Sequence, residues 1–581
     1  MSAADDSDVE EDAANASQII YNAEDAVEEH LEEVEAQLEE VMQAPDVPGV
    51  ANRGRGRGGR GRGRGGHPHP GPLANYAAWA NVAIDVDIPP FIGDAGPVLP
   101  PEGGAEALSH SVDLFLTPPI LNMIRLETNR RAHLELGAAA HDKLLDNWKD
   151  VSAGEVSALL SIIITMGLME LPDEDDYWCT DDYWSVPFVS NLMSRKRFKQ
   201  MKHCLMVANP TVEQNAEDKL AKVRPFLGLV GEISRARYQP YQDCSLDESQ
   251  CQCGHRHARF AYRGETKKPI ADYIKVISLH CSKTGYCYSF FVDTRSESIR
   301  EMVVAVCAPL PARPYRIATD RFYTGVDTAR KLLQRGLYMY GTVRTDRGID
   351  KTIAATVATN GLTDGQFIWS MAPPSLLSCV WRDSTPTGVW FLSTCHKGDV
   401  EQGEVRRRKR GYPTAMKPAP QVAIDYNKFM GGCDRANSLR SSYSTYLTHK
   451  KRWYMSLFYY GLDVLIVNSF IYRNETAPGN QLTQKKWREE IAKLFAVRAM
   501  AAHPRLASPL EGQRTRTPVD QLPAARLFGQ HFVERTDVRR QCAWCYKTTK
   551  VQRQTVYRCS ACRVHLHPDC FAIFHDPQAQ I

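Results

Sequence analysis

The sequence predicts an α/β protein, and three observations lead there. Between residues 241 and 345, strand-like and helix-like segments follow one another as strand, hairpin, helix, strand, helix, strand. Three aspartates fall at or near strand ends or open a long helix: Asp247 in "CSLDES", Asp320 in "RIATDRFYTG" and Asp434 in "YNKFMGGCDRAN". The last fifty residues carry paired cysteines and histidines at the spacing of metal ligands.

At 581 residues the chain exceeds one hydrophobic core, so about two to four domains are expected. Residues 1–52 hold 16 Asp and Glu and no Lys or Arg. The other 529 residues hold 71 bases against 52 acids, a net charge of +19 hidden beneath an overall +3. A basic body attracts polyanions through counterion release, although an ordinary solvated surface has the same composition. The first thirty residues are acidic and lack an apolar core, so no secretory signal is expected. The longest apolar runs, 158–168 and 464–472, are too short to span a bilayer, and no membrane partner is expected. Cysteines scattered through the chain and clustered only at its end suit a reducing compartment and a metal site better than a disulfide framework.

In chain order, residues 1–52 form an acidic tail. Val27, Leu31, Val34, Leu38 and Val41 make one short helical stripe in it, expected either as a helix that binds another protein or as a merely transient one. Residues 53–105 open with the arginine-glycine tract "RGRGRGGRGRGRGG" and continue rich in Pro and Gly. They are expected as a disordered linker, the tract serving either as a loose nucleic-acid contact or as a spacer. Residues 106–240 read as helical, with Ser152 and Glu155 forming a capping box. Their basic helix, including Arg195, Lys196 and Arg197, is a candidate phosphate contact.

Within residues 241–345, a strand carries Asp247, and "YIKVISLHC" and "YCYSFFVDT" flank the turn "SKTG" as a hairpin. The helix "SIREMVVAVCAPL", the strand "PYRIAT" delivering Asp320, the helix "GVDTARKLLQRG" and the strand "LYMYGTVRT" follow. This is the element order of the ribonuclease H-like fold, in which acids from strand ends and a later helix meet at one sheet edge. Residues 346–421 read as an insertion. Its run "RRRKRGY" has three readings left open: a DNA grip, a nuclear-import signal or a solvated loop. Residues 422–475 return to the domain with Asp434 and a long apolar helix, entered through Lys450, Lys451 and Arg452, which are candidate phosphate contacts. Residues 476–535 read as a linker.

Three carboxylates on rigid elements make an oxygen-donor site suited to magnesium or manganese. In residues 536–581, Cys542, Cys545, His567 and Cys570 are expected to bind one zinc ion, and Cys559, Cys562 and His575 a second, in a cross-brace. The eighth ligand is open between His565 and Asp576. A further patch beside Asp247 (Cys251, Cys253, His255, His257) lacks a paired C-x-x-C and is weaker as a metal site.

Nine motifs in order, from "IRLETNRRA" and "YWCTDDYWSVPFVSNLMSRKRF" through "SLDES", "TDRFYTG" and "DYNKFMGGCDRANSLRSSY" to "KKRWYMSLFYYGLDVLIVNSF", resemble a piggyBac-type transposase over residues 113–472. The terminal cysteine-rich finger resembles that family's as well. The resemblance implies a DDD enzyme with Asp247, Asp320 and Asp434 holding two magnesium or manganese ions. It implies a hairpin intermediate, joining at TTAA sequences, homodimers on double-stranded DNA (terminal repeats and target) and a nuclear location. It also implies a helical N-terminal region for DNA binding and dimerisation. One departure stands out: where the family commonly has a further aspartate three residues after the third, this chain has Asn437, an auxiliary position without negative charge. A descendant that binds DNA without cutting it is the alternative; a ubiquitin ligase built on the cross-brace leaves the three acids unexplained.

Overall fold

The computed structural model describes residues 79–575 apart from 100–107, 139–140, 182–183, 210–217, 267, 384–386, 399–401, 408–414, 448–451, 503–530, 550 and 561. The acidic tail with its helical stripe, the arginine-glycine tract, Lys450, Lys451 and Asp576 lie outside these residues.

The centre is an eight-stranded mixed sheet. Its first five strands are β1 (Asp243–Gln252), β2 (Tyr273–Cys281), β3 (Cys287–Val292), β4 (Arg316–Thr319) and β5 (Tyr338–Thr342). β1, β2 and β3 pair antiparallel, while β4 and β5 run parallel to β1. The helix α5 (Ile299–Cys307) makes the crossover to β4 and α6 (Val326–Leu333) the crossover to β5. β2 is buried along its whole length, which is why "YIKVISLHC" reads as a near-continuous apolar run. Its alternate residues serve two cores: Ile277 and Leu279 face α5 and α6, whereas Ile274 and Val276 face the helical side.

That helical side is built from α1 (Pro118–Leu136), α2 (Ala153–Met169), α3 (Arg195–Cys204) and α4 (Arg224–Ala236), which precede the sheet in the chain. The expected capping box opens α2: Ser152 accepts from the Glu155 N–H and Glu155 accepts from the Ser152 N–H. The later helix α9 (Tyr454–Thr476) is long and apolar enough to cross a membrane, yet it lies almost wholly buried against these helices and the sheet.

Three boundaries read from the sequence differ from what is observed. Residues 346–421 do not stand apart: β6 (Phe367–Ala372), β7 (Leu376–Trp381) and β8 (Val389–Ser393) extend the same sheet. β8 pairs with the outer edge of β5, with Phe391 opposite Thr342, and covers the unpaired edge that five strands would leave. The hairpin β9 (Gln402–Arg407) and β10 (Ala415–Pro420) leads onward. Residues 79–99, expected as disordered linker, lie on the domain. Trp79, Ile84, Val86 and Phe91 pack on its cores, Phe91 against the Tyr315 ring at 5.1 Å. Residues 476–535, also read as linker, contain α10 (Gln484–Ala502). Its Trp487, Ile491, Phe495 and Ala499 recur every fourth residue and bury against α2, where the Ser161 hydroxyl donates to Ala492 O at 2.7 Å.

The same helix brings Arg488 to Asp463 of α9 at 3.1 Å, with side-chain exposures of 0% and 1%. The carboxylate also accepts from the Thr445 N–H. Replacing one partner strands a buried charge, so Arg488→Met lowers the stability measured by urea denaturation by about 3–5 kcal/mol. Adding Asp463→Leu to that variant recovers most of the loss; two additive losses would show that the pair does not interact.

Candidate active site and cysteine-rich centre

The parallel register of β1 and β4 sets Leu246 opposite Thr319, so Asp247, midway along β1, and Asp320, just past the end of β4, stand beside each other where the parallel pairing stops. Asp320 has left the strand. Its carboxylate accepts from the N–H groups of Phe322 (2.9 Å) and Tyr323 (3.4 Å), an Asx turn that fixes its direction. Asp247 accepts from the Glu248 N–H at 2.7 Å.

The third acid arrives on α8 (Gly432–Ser441), after α7 (Gln421–Phe429) and a short glycine turn. α8 lies directly on β1, and the Cys433 N–H donates to Ser245 Oγ at 2.9 Å. A Cβ at Gly432 would come within 2.5 Å of that hydroxyl, so glycine is what lets the helix approach. Asp434 therefore sits in the first turn of a helix clamped over the strand that carries Asp247.

The electrostatics agree with this placement. Burial lifts the Asp247 carboxyl to about 7, and the charges of Asp320, Glu248 and Asp434 push it the same way. Burial also raises Asp320, against the pull of its two backbone donors. Tyr426 of α7 is raised first by burial and further by the charges of all three aspartates. Acidic oxygens held by backbone at the cost of mutual repulsion fit a hard divalent cation.

Two neighbours of this site escaped the sequence reading. Strand alternation puts Glu248 on the opposite face from Asp247, where it pairs with Lys268 and, at 3.5 Å, with the buried Lys275. Lys275 in turn lies 4.6 Å from the Phe322 ring and 4.7 Å from the Tyr262 ring. Tyr426 looked like any residue of an amphipathic helix; only the packing of α7 takes it to the acids.

Asn437 is a packing residue here. Its carbonyl accepts from Ser249 Oγ at 2.7 Å and its amide donates to Glu248 O at 3.1 Å, which staples α8 to β1. Asn437→Asp replaces that donor with an oxygen facing a carbonyl. We expect it to lower stability by about 1–3 kcal/mol in urea denaturation without tightening manganese binding. Tighter manganese binding would instead place position 437 in the ion's shell.

Among the described residues, the basic side chains expected to contact phosphate (Arg195, Lys196, Arg197 and Arg452) have partners inside the protein. Arg197 grips Glu155 at 2.6 and 2.9 Å and lies over the Trp148 ring at 4.7 Å. Arg195 pairs with Asp175 at 3.5 Å, Lys199 with Asp175 at 2.5 Å, and Lys202 with Glu174. Lys196 donates to Asp146 O at 3.3 Å. Arg452 donates to the carbonyls of Leu205 and Lys202 at 2.7 and 2.5 Å. The reason is the acidic 3-10 turn Glu174–Trp178, which folds against α3 and neutralises much of its charge. Cys251 and Cys253, of the weaker metal patch, are core residues.

Near the C-terminus, β11 (Val533–Gln541) and β12 (Gln554–Cys559) pair, and α11 (Pro568–Phe574) closes the module. Its buried apolar core among the described residues is Cys542, Leu566 and Phe574. Cys542, Cys545, His567 and Cys570 converge in one cluster; His531, Cys559, Cys562 and His575 converge in a second. The fourth member of the second cluster is therefore His531, from the stretch read as linker. His565 lies elsewhere: its backbone bridges Arg558 and its ring approaches Thr536 Oγ1 at 3.4 Å. Donor separations are 3.3 Å for His531 to both Cys559 and Cys562, 3.5 Å for Cys562 to His575, and 3.4 and 3.6 Å for Cys545 to His567 and Cys570. Tetrahedral zinc with sulfur at about 2.3 Å and nitrogen at about 2.0 Å has edges of about 3.3–3.8 Å. The clusters are compatible with a zinc finger.

Comparison with known proteins agrees with this architecture. The Transposase IS4 family profile matches residues 110–470. The human piggyBac transposable element-derived protein 3 is 22% identical over 441 residues, 73% of this chain and 70% of that protein. The human piggyBac transposable element-derived protein 2 is 23% identical over 489 residues, 80% of this chain and 75% of the relative. A cryo-EM structure of a piggyBac transposase synaptic complex with hairpin DNA has a TM-score of 0.59 at 21% identity. It covers 74% of this chain and 87% of that one, and so shares the fold. The chain belongs to the Transposase IS4 family and, within it, is a transposase of the piggyBac type.

Proposed function

We propose that this protein cuts and joins DNA strands by a metal-dependent DDD mechanism, with Asp247, Asp320 and Asp434 as the catalytic acids. The observation that carries the proposal is the meeting of Asp247 and Asp320 on adjacent parallel strands beneath the helix that delivers Asp434. The three carboxylates would hold two magnesium or manganese ions, which supply an activated attacking oxygen and stabilise a leaving one. The chain's own part is positional: the Asx turn directs Asp320, and Gly432 and Ser245 seat Asp434. From the piggyBac relationship we infer a hairpin intermediate, TTAA targets, homodimers on double-stranded DNA and action in the nucleus. The C-terminal clusters would hold two zinc ions.

Purified full-length protein incubated with supercoiled plasmid and manganese should nick it, and Asp320→Asn should not. A second reading, a DNA binder that no longer cuts, draws on the "transposable element-derived" names of the human relatives. DNA retention without nicking by the native chain, on plasmid and on the element's own ends, would select it.

A further inference from the structure

At the opposite end of the sheet from the three acids lies a second polar cluster that the proposed strand chemistry does not use. It is built where β8 ends. Ser393 Oγ lies 2.7 Å from His396 Nδ1, and Cys395 Sγ lies 3.5 Å from the same nitrogen. The other ring nitrogen, Nε2, is 3.3 Å from Asp425 Oδ2 of α7. Asp425 is itself held by Arg316 of β4 at 3.0 Å and by Gln421 at 2.7 Å, and Arg316 also pairs with Asp243 of β1. The order of groups is thiol, imidazole, oriented carboxylate, the arrangement that activates a cysteine nucleophile.

Two features separate this cysteine from the others. His396 is only 6% exposed, while Cys395 itself reaches the surface. Among the described cysteines outside the C-terminal module, only Cys179 and Cys395 are not buried. Charged and titratable groups surround the imidazole: Asp425 and the Cys395 thiol in contact, the Tyr340 ring at 5.2 Å, and Arg316 and Asp243 one contact further. Burial pulls the His396 imidazole down, but the Cys395 sulfur and the Asp425 carboxylate outweigh it and bring the group to about 9. At neutral pH the ring is then an imidazolium, with Nε2–H donating to Asp425 and Nδ1–H facing Ser393 and Cys395.

We propose that Cys395 is a reactive thiol, activated by His396 and Asp425, that undergoes thiol–disulfide exchange with small-molecule disulfides. The Cys395 thiol gives up its proton to solvent beside the Nδ1–H of His396. The Cys395 thiolate attacks one sulfur of the disulfide; a new S–S bond forms as the old one breaks, and the departing thiolate takes a proton from water. Cys395 is oxidised to the mixed disulfide and the departing sulfur is reduced to a thiol, so the step requires no further reagent. The adduct forms beside the His396–Asp425 contact that ties α7 to the sheet, and α7 leads directly into α8 and Asp434.

The test uses zinc-loaded full-length protein, glutathione disulfide as the probe, and peptide mass spectrometry to follow each cysteine. Cys179, also partly exposed, is the internal reference. At about pH 7, Cys395 should form the adduct at least about tenfold faster than Cys179, and the ratio should fall towards one near about pH 10, where any exposed thiol ionises. His396→Gln should abolish the advantage. A rate ratio near one at neutral pH would overturn the proposal, as would a ratio unaltered in His396→Gln. If that variant does not fold, the pH profile of the native chain decides, because a ratio independent of pH removes any role for the imidazolium.

Discussion

Asp320→Asn should abolish the proposed strand cleavage, by about a thousandfold or more, in a protein at least as stable as the native one. The amide keeps the size of the side chain and can still accept from the Phe322 and Tyr323 N–H groups, so the turn survives. What disappears is a negative charge that raises its neighbour Asp247. Loss of cleavage together with unfolding would instead mark Asp320 as a structural residue. Retained cleavage would remove it from the proposed triad.

The same crowding makes stability depend on pH. Asp247 is about 7 in the folded chain against about 4 in an unfolded one, so between these values the folded state binds the extra proton. Stability of magnesium-free protein is therefore greatest below about pH 4 for this group and declines as pH rises towards about 7, by on the order of 4 kcal/mol. Asp247→Asn should flatten that decline, measured as urea midpoints at about pH 5 and about pH 8. Equal slopes in the native chain and the variant would mean that neither burial nor the neighbouring acids raise Asp247.

The second large effect concerns the C-terminal module. Three buried apolar side chains cannot order residues 531–575, whereas zinc bound to finger-like sites contributes about 10–16 kcal/mol. Cys545→Ser or a zinc chelator should therefore unfold this module. His531→Ala should lower the bound zinc from about two ions to one, while His565→Ala should leave both. Zinc content read by native mass spectrometry decides. Loss of an ion in His565→Ala, with none in His531→Ala, would reverse the assignment of the second cluster.

The clusters show what spacing can and cannot specify. Cysteine pairs in C-x-x-C form announce themselves because two thiolates that close in sequence can share one ion. That spacing marked Cys542, Cys545, Cys559 and Cys562, and the nearby His567, Cys570 and His575 completed the seven cluster members legible in the sequence. His531 was not, because it precedes the first cysteine by eleven residues and only the β11–β12 pairing folds it back; the odd count was the one signal that a ligand was missing. In the same way, apolar strands and capping residues marked the sheet and α2, but α10 passed as linker because its stripe runs between charged residues.

By itself, the sequence determined the order of strands and helices, the three aspartates as candidate acids, and the pairing pattern of the cysteines, since periodicity, caps and short-range ligand spacing are local properties. Tertiary structure alone decided which cations are spoken for, that the insertion joins the sheet, and that Asn437, Tyr426, His396 and Asp425 have particular neighbours. Those partners lie tens to hundreds of residues apart: Asn437 and Ser249 are 188 positions distant, and Arg316 and Asp425 are 109. No local pattern encodes such a meeting; it follows from the global packing of helices on a sheet.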